Sequence, residues 1–229
     1  MKIIAIIPAR SGSKGLKDKN IKIIAGKPLL AYTIIAAKEA GLFDEVMVST
    51  DSEIYADIAR KWGASVPFLR SEKNSSDKAS SWDMIKEVLE NYNKIGQKYD
   101  AFCLLQPTSP LRTSEDIKNA FTIFQNVLTA VISVCEVEHS PLWCNHLPKN
   151  KSLAGFIQKE NNKQRQAYSK FYRINGAIYF VNTKEFYKDD FLYREGSFAY
   201  IMPQSRSIDI DTDIDFKLAE LYLGGGTGI

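Results

Sequence analysis

The chain has 229 residues, of which 45% are hydrophobic and 25% are charged. These ordinary globular values exclude a disordered, collagenous or disulfide-dense chain. The 30 basic and 27 acidic residues leave a net charge of +3, which is too small to indicate nucleic acid as a general partner. No stretch approaches the roughly 20 apolar residues of a membrane span, and the first apolar run is too short for a secretory signal. We therefore expect a cytoplasmic protein with no membrane association.

Four short apolar runs, each bounded by polar or turn residues, predict strands that are buried on both faces of a parallel sheet. They span residues 2–7, 45–49, 101–105 and 130–134. Strands of this kind are joined by helical crossovers, so helical periodicity is expected between them.

Segments with helical spacing do separate these strands. Apolar residues recur on one face over residues 29–40, and Gly41 is a typical helix terminator. The next helix is predicted over residues 53–62, where Thr50 and Glu53 have the spacing of a capping box. The same spacing predicts the starts of two further helices, at Ser80 with Asp83 and at Thr113 with Asp116.

This alternation predicts the α/β class, with an open, mostly parallel sheet and helices on both of its faces. Ligands of such sheets bind beyond the carboxyl ends of the strands. Residues 138–175 break the alternation, because they are polar, contain two prolines and lack a core period. We interpret them as an excursion from the main sheet.

After the excursion the alternation resumes. Strands are predicted at 177–182, 198–202 and 207–211, and helices near 183–188 and at 214–223. We expect one domain over residues 1–223. The glycine-rich residues 224–229 are interpreted as a flexible tail or a cloning remnant.

The three cysteines include no CxxC pair, and their odd number argues against a disulfide framework. Cys135 directly follows the apolar run at 130–134 and is interpreted as a buried strand residue. A zinc cluster of Cys135 and Cys144 with His139 and His146 is the weaker alternative.

Charge is concentrated at two places in the sequence. The stretch 8–27 follows the first strand and carries six basic residues and Asp18 as its single acid, whereas residues 207–215 carry four aspartates and no basic residue. Such a pair of segments is typical of a site for a polyphosphate and a divalent metal; two solvated patches are the alternative.

The loop that follows the first strand offers groups that bind oxyanions. Its glycines and serines permit a tight backbone whose N–H groups can face phosphate oxygens. Arg10 adds a planar guanidinium, and Lys14 and Lys19 add point charges. The loop matches neither the Walker pattern nor GxGxxG. We predict a phosphate-binding role; a solvated basic turn is the alternative.

The acidic segment has the pattern of a metal site. In a strand, Asp209 and Asp211 would point to the same face, and two carboxylates on one face can hold Mg²⁺. Helix capping by Asp211 or Thr212 is the alternative. Asp213 and Asp215 are assigned to the first turn of the following helix, where negative charge is favourable.

Several sequence blocks together resemble the acylneuraminate cytidylyltransferases, the CMP-sialic acid synthetases and related CMP-nonulosonate synthetases. They cover nearly the whole chain in the family's order and are highly specific in combination. The blocks are PAR (8–10), GSKG (12–15), KN (19–20), STD (49–51), LQPTSPLR (105–112), RINGAIY (173–179) and SIDIDT (207–212).

The resemblance implies a three-layer α/β/α nucleotidyltransferase fold with a protruding dimerisation arm at about 138–175. It implies a homodimer whose sites are completed by the partner subunit. It also implies transfer of CMP from CTP to the anomeric hydroxyl of a nonulosonic acid, with Mg²⁺, or alternatively Mn²⁺, as the cofactor.

The resemblance further assigns nucleotide-binding residues. Arg70 would contact the cytosine, whose N3 and O2 are both acceptors that two guanidinium donors can match. Asn20 would bind the ribose, and Ala79 and Ser80, with the neighbouring Ser81, would line the base and ribose pocket. The triphosphate is assigned to Arg10, Ser13, Lys14 and Lys19, with Lys19 and Arg10 near the reacting phosphate.

For the acceptor sugar, the resemblance implies contacts from Gln106 and Tyr179. Arg165 would reach the sugar carboxylate from the partner subunit, and Arg173 would lie near the phosphates on the acceptor side. Asp209 and Asp211 would ligate the metal, and Asp209 would also help deprotonate the sugar hydroxyl.

The identity of the sugar is left open by a departure from the family's pattern. Some sialate-activating relatives carry a basic residue where this chain has Leu142 and Trp143. Legionaminic acid therefore becomes an option beside N-acylneuraminate. Alternatives are a cytidylyltransferase for 3-deoxy-manno-octulosonate, a thymidylyl- or uridylyltransferase, a nucleotide-sugar glycosyltransferase, and a non-catalytic nucleotide-binding module.

Overall fold

The computed structural model describes residues 1–12, 15–76, 79–164 and 169–224. The predicted tail residues 225–229 lie outside this part of the chain. The strands are β1 Ile3–Pro8, β2 Ile23–Ile24, β3 Lys27–Pro28, β4 Glu45–Ser49, β5 Ala101–Leu104, β6 Ala130–Glu136, β7 Tyr172–Asn182 and β8 Ser197–Ile201. The helices are α1 Leu29–Ala40, α2 Glu53–Lys61, α3 Glu72–Ser75, α4 Ser81–Lys94, α5 Ser114–Val127, α6 Thr183–Lys188 and α7 Asp213–Leu223.

Six strands form the central sheet in the order β4-β1-β5-β7-β6-β8. Strand β1 is parallel to β4 and β5, and β6 is parallel to β8. Strand β7 is antiparallel to both of its neighbours, β5 and β6. The prediction of a mostly parallel α/β sheet is confirmed, with β7 as the strand that departs from it.

Helices cover both faces of the sheet, and the alternation of side chains along β1 shows this directly. Ile3, Ala5 and Ile7 pack in a cluster with α1, α2 and α5. Ile4 and Ile6 pack on the other side in a cluster with α4 and α6. Each face of the sheet therefore has its own apolar core, which is the three-layer arrangement that was predicted.

Most helix starts agree with the spacing of polar residues. Thr113 and Asp116 form a complete capping box at the start of α5. Ser80 caps α4 by accepting a hydrogen bond from the backbone N–H of Trp82. The box predicted from Thr50 is wrong: α2 begins after Ser52, and the Thr50 hydroxyl accepts a hydrogen bond from the Ser52 backbone instead.

The strand predicted at 207–211 is also wrong, because these residues form no strand although the structure describes them all. The backbone N–H of Ile210 donates to the carbonyl of Thr108 at 2.8 Å, and no ladder continues from this bond. The helix that follows these residues, α7, is capped by Thr212, which forms a capping box with Asp215. Asp213 and Asp215 lie in the first turn of α7, as predicted.

Strand β7 begins at Tyr172, so the end of the predicted excursion belongs to the sheet. The pairing with β6 changes register between Ile132 and Val134, opposite Gly176 and its neighbours. Gly176 has a φ of +75°, a conformation that favours glycine. Before Gly176, the polar residues Arg173 and Asn175 separate the apolar ones, so no continuous apolar run marks this part of the strand and the sequence pattern places its start too late.

Cys135 is buried in β6, as predicted. The described residues contain no cluster of three or more His, Cys, Asp or Glu side chains suited to a metal ion, so the zinc alternative gains no support. Among the helices in the described part of the chain, none is long and apolar enough to cross a membrane.

Candidate active site

A cavity of about 460 Å³ opens at the carboxyl ends of β1 and β5. It brings together residues that are far apart in sequence, including the basic loop after β1 and the acidic segment before α7. The lining residues are Pro8, Arg10, Gly15, Lys19, Asn20, Arg70, Asn74, Ser76, Ala79, Ser80, Ser81, Met84, Gln106, Pro107, Thr108, Asp209 and Asp211.

The basic loop and the acidic segment touch directly. Lys19 is largely buried, and its Nζ lies 3.1 Å from Asp211 Oδ1 and also donates to the Ile210 carbonyl. A Cβ atom added to Gly15 would lie 2.8 Å from the carbonyl oxygen of Asp211. Glycine at position 15 therefore permits the close backbone approach that joins the two segments.

Hydrogen bonds fix the shape of the loop after β1. The Asn20 side chain donates to the Arg10 carbonyl at 3.1 Å, and Arg10 Nη1 donates to the carbonyl of Ser75 at 3.2 Å. Asp51, which follows β4, accepts from the backbone N–H of Ser11 at 2.7 Å and from its hydroxyl at 2.9 Å. The loop is thus tied to two neighbouring segments before any ligand arrives.

The Arg70 side chain is held in place at the far wall of the cavity. Its Nε donates to Ser49 Oγ at 3.0 Å, and its Nη2 donates to the Ser49 carbonyl at 2.5 Å. Burial lowers the pKa of Arg70 to about 10, although nearby Asp51 opposes that shift. The guanidinium therefore stays charged at neutral pH and presents a fixed orientation to a ligand.

Asp209 is the most unusual carboxyl group of the site. Burial raises its pKa; a hydrogen bond from the Thr108 side chain opposes this effect, and the charge of Asp211 adds to it. Its Oδ1 is buried and has no hydrogen-bond partner among the described residues. A buried acceptor without a donor is costly, so this oxygen is suited to a cation or a proton that arrives with the ligand.

Gly176, in the bulge of β7, lies close to two of these side chains. A Cβ atom on Gly176 would lie 2.6 Å from Gln106 Oε1 and 3.8 Å from Asp209 Oδ2. Glycine at position 176 thus leaves space for the end of the Gln106 side chain, which a Cβ atom there would displace, whereas Asp209 Oδ2 would remain at ordinary contact distance.

The structure brings most of the predicted site residues together. Nine of them line the cavity: Arg10, Lys19, Asn20, Arg70, Ala79, Ser80, Gln106, Asp209 and Asp211. Ser13, Lys14 and Arg165, which were also predicted, lie outside the described residues.

Two of the residues predicted to contact the acceptor sugar, Arg173 and Tyr179, are absent from the lining of the cavity. Arg173 Nη2 donates to the Ser207 carbonyl and to Glu138 Oε1, each at 3.3 Å. Tyr179 is 7% exposed and packs edge-on against Trp82, and burial raises its pKa to about 12. Arg173 contacts the backbone close to Asp209, whereas Tyr179 belongs to the adjacent core.

Several lining residues were not predicted, above all Thr108, Asn74 and Met84. Thr108 lies inside the LQPTSPLR block, which is the one sequence signal that points to it. Asn74 donates to Glu87 on α4 and reaches the cavity through the short helix α3. Met84 has the helical spacing of a core residue and is 2% exposed, so no local pattern distinguishes it.

An α/β sheet that carries a cationic loop and two carboxylates at its carboxyl edge is the kind of site that can hold a nucleotide's phosphates together with a divalent cation. The chain belongs to the cytidylyltransferase family, whose model, described as "Cytidylyltransferase", matches residues 4–222.

Individual relatives agree with this membership. A CMP-N,N'-diacetyllegionaminic acid synthase of Legionella pneumophila is 38% identical over 224 residues, which cover 96% of this chain and 95% of the relative. An N-acylneuraminate cytidylyltransferase of Escherichia coli is 41% identical over 220 residues, which cover 95% of this chain and 51% of the relative. This chain thus spans nearly all of the first relative and about half of the second.

The fold is also found among solved structures. A structure of CMP:2-keto-3-deoxy-manno-octonic acid synthetase complexed with CTP superimposes with a TM-score of 0.73, covering 97% of this chain and 98% of that chain. Its sequence is 14% identical, so the likeness concerns the fold alone.

Proposed function

We propose that this enzyme transfers CMP from CTP to the anomeric hydroxyl of a nonulosonic acid and releases pyrophosphate. The observation that carries the proposal is the contact between Lys19 and Asp211 in one cavity, which places a cationic loop against a pair of carboxylates. Family membership agrees with it. The relatives from L. pneumophila and E. coli are named for a legionaminic acid and for N-acylneuraminate, and these two are the acceptors we favour.

Nucleotide binding would use the wall formed by Arg10, Lys19 and Arg70. Arg10 and Lys19 would balance the charge of the triphosphate, with Ser13 and Lys14 assigned to the same role. Arg70, oriented by Ser49, would face the cytosine. A guanidinium offers fixed paired donors, which suit the adjacent acceptors of cytosine better than the protonated N3 of uracil.

The carboxylates fit a divalent cation. Asp209 Oδ1 is a buried acceptor without a donor among the described residues, and Asp211 lies beside it at the cavity. Mg²⁺ prefers oxygen ligands and is commonly held by one or two carboxylates together with substrate phosphates; Mn²⁺ accepts similar ligands. When bound, such an ion neutralises phosphate oxygens and orients the substrate.

The chain's own groups would supply the proton transfer and the positioning. The anomeric hydroxyl attacks the α-phosphorus and displaces pyrophosphate, and Asp209, which lines the cavity, would accept the proton of the hydroxyl. Lys19 lies between this carboxyl pair and the phosphate loop, so it can stabilise charge on the α-phosphate. Gln106 would bind the sugar, and Arg173 and Tyr179 are assigned to the same role.

We infer that the enzyme acts as a homodimer in which Arg165 and the part of the segment 138–175 that precedes β7 reach the partner's site. Support comes from an apolar face at the end of the sheet, where Ile174 and Ile201 are 42% and 57% exposed. Both lie opposite Val134 in the sheet register. Large exposed apolar faces are typical of interaction sites.

The substitution Asp211→Ala tests the proposed reaction. We expect kcat for Mg²⁺-dependent pyrophosphate release from CTP and the sugar to fall about 100-fold or more, the usual loss when a charge-stabilising group is removed. Asp213→Ala is the matched control, because that side chain is 72% exposed in the next helix and should leave kcat within about 2-fold. An Asp211→Ala rate close to the wild-type rate would refute the assignment.

A further inference from the structure

Arg112 is a buried cation next to the cavity that neither nucleotide nor metal binding explains. It is 2% exposed, and among the described residues no carboxylate lies within salt-bridge distance of its guanidinium. Its Nε is buried without a hydrogen-bond partner in the same part of the chain. Burying a guanidinium in this way is costly, so stability alone would favour an apolar side chain at this position.

The guanidinium connects three separate elements. Nη1 donates to the Ala177 carbonyl at 2.9 Å and to the Gln106 carbonyl at 3.2 Å, and Nη2 donates to Thr33 Oγ1 at 2.6 Å. Arg112 therefore fastens the loop after β5 both to strand β7 and to helix α1. Because a guanidinium is planar and rigid, these bonds fix the relative orientation of the elements, which a lysine cannot do.

Each of the two carbonyls that Nη1 holds belongs to a residue beside the reacting groups. Gln106 lines the cavity, and Ala177 follows Gly176, over which Gln106 and Asp209 lie. Thr108, in the same loop, accepts a hydrogen bond of 2.8 Å through its carbonyl from the N–H of Ile210, the residue that follows Asp209. A shift of this loop would therefore move both Gln106 and Asp209.

We propose that Arg112 is a positioning residue that sets the acceptor-sugar side of the site, orienting Gln106 directly and Asp209 through Thr108. This inference rests on the proposed function for its catalytic meaning. The CTP side is held by different bonds, those of Asp51 with Ser11 and of Ser49 with Arg70. Loss of Arg112 should therefore affect the two substrates unequally.

The kinetic test compares Arg112→Met with Arg112→Lys and a control, Phe124→Leu. We expect both Arg112 variants to lower kcat/KM for the sugar about 100-fold, the effect of misplacing a reacting group by about 1 Å. The Kd of CTP, measured by calorimetry with Mg²⁺, should change less than about 3-fold. Phe124 is fully buried in the helix-sheet core that also contains Leu105 and Ala177. Its variant therefore loses stability, but the changes in kcat/KM for the sugar and in the Kd of CTP should stay in proportion.

A purely structural role predicts a different result. In that case the folded fraction of each Arg112 variant would behave like Phe124→Leu. The kcat/KM for the sugar and the Kd of CTP would then show equally small changes. That result would overturn the proposal. Should Arg112→Met fail to fold, Arg112→Lys, which keeps the charge but not the planar fork, decides the question in the same way.

Amide hydrogen exchange provides a second test, which does not depend on catalytic activity. In Arg112→Lys, exchange should accelerate at least about 10-fold at Ser109 and Ile210, whose N–H groups donate to Gln106 and Thr108, and not in α2. Unchanged exchange at these amides would refute the idea that Arg112 holds the loop after β5 in place. If the wild-type enzyme releases no pyrophosphate with any nonulosonic acid, the proposed function fails, while this measurement still tests the placement of the loop.

Discussion

At the scale of single residues, the shape of the site depends on the absence of a side chain at position 15. Gly15 has no unusual φ, so its backbone conformation is open to other residues. Its importance lies in the close approach of the Asp211 carbonyl, which leaves no room for a side chain. The obstacle is backbone and not the end of a flexible side chain, so it cannot move away at small cost.

We expect Gly15→Ala to separate the basic loop from the acidic segment and to lower kcat at least about 10-fold, because the Lys19 to Asp211 contact lengthens. Steady-state pyrophosphate release measures this effect. Gly96→Ala is the control: Gly96 has a φ of +78° with open space around it, so alanine there is strained but remote from the site. It should cost about 1 kcal/mol of stability and leave kcat unchanged. Equal kcat values for the two variants would contradict the argument.

Residue types in the sequence indicate Lys19, Asp209 and Asp211 because charge of each sign is clustered in one segment of this chain. Thr108 carries no such mark. Its role follows from a bond to Asp209, and that contact depends on how the loop after β5 meets the segment before α7. Side chains whose task is set by a distant partner are the ones that sequence patterns miss.

At the scale of elements, α5 is anchored by one buried carboxylate. Asp116 completes the capping box with Thr113 and accepts two bonds from Arg206, at 2.9 and 2.7 Å, and one from the Tyr200 hydroxyl at 2.9 Å. It thereby ties the helix to β8 and to the turn that precedes the acidic segment. Burial by itself would raise the pKa of Asp116, but the bonds from Arg206 and Thr113 outweigh it and lower the pKa.

A depressed pKa in the folded state gives stability that is present above the unfolded pKa of about 3.9 and is lost as the pH falls through the folded value. We therefore expect Asp116→Asn to destabilise the protein by about 2 kcal/mol at pH 7, and by less at pH 3, where the unfolded carboxyl is mostly protonated. Urea unfolding at the two pH values measures the difference. Asp57→Asn, whose side chain is 66% exposed beside Arg60, should cost under about 1 kcal/mol at either pH. A pH-independent loss for Asp116→Asn would contradict the linkage.

Elements whose deciding contacts are local are predictable from the sequence. The Thr113 to Asp116 box spans one helical turn and is confirmed, and α1 ends before Gly41 as its pattern predicts. The segment 207–211 has the alternation of a strand, yet strand formation needs a partner with free backbone groups along its length. Thr108 provides a single carbonyl here, so the segment stays irregular.

At the scale of the whole molecule, the sheet ends on one side with strand β8. Its neighbour β6 is buried, but Ile201 of β8 and Ile174 of β7 remain exposed on either side of Val134. A groove of about 380 Å³, lined mainly by apolar residues that include Leu192, Tyr193 and Phe198, continues this surface. An edge strand beside an exposed apolar face is a liability in an isolated chain, and covering it with a second copy removes that liability.

If this face is the dimer interface, Ile201→Asp should yield monomers, because burying an unpaired carboxylate at an apolar contact costs several kcal/mol. Light scattering during size-exclusion chromatography measures the mass. Activity should fall with dissociation, since Arg165 is proposed to act in the partner's site. Ile54→Asp is the matched control: Ile54 is 67% exposed at the start of α2, away from β8, and its variant should remain dimeric and active. A dimeric, active Ile201→Asp protein would place the interface elsewhere.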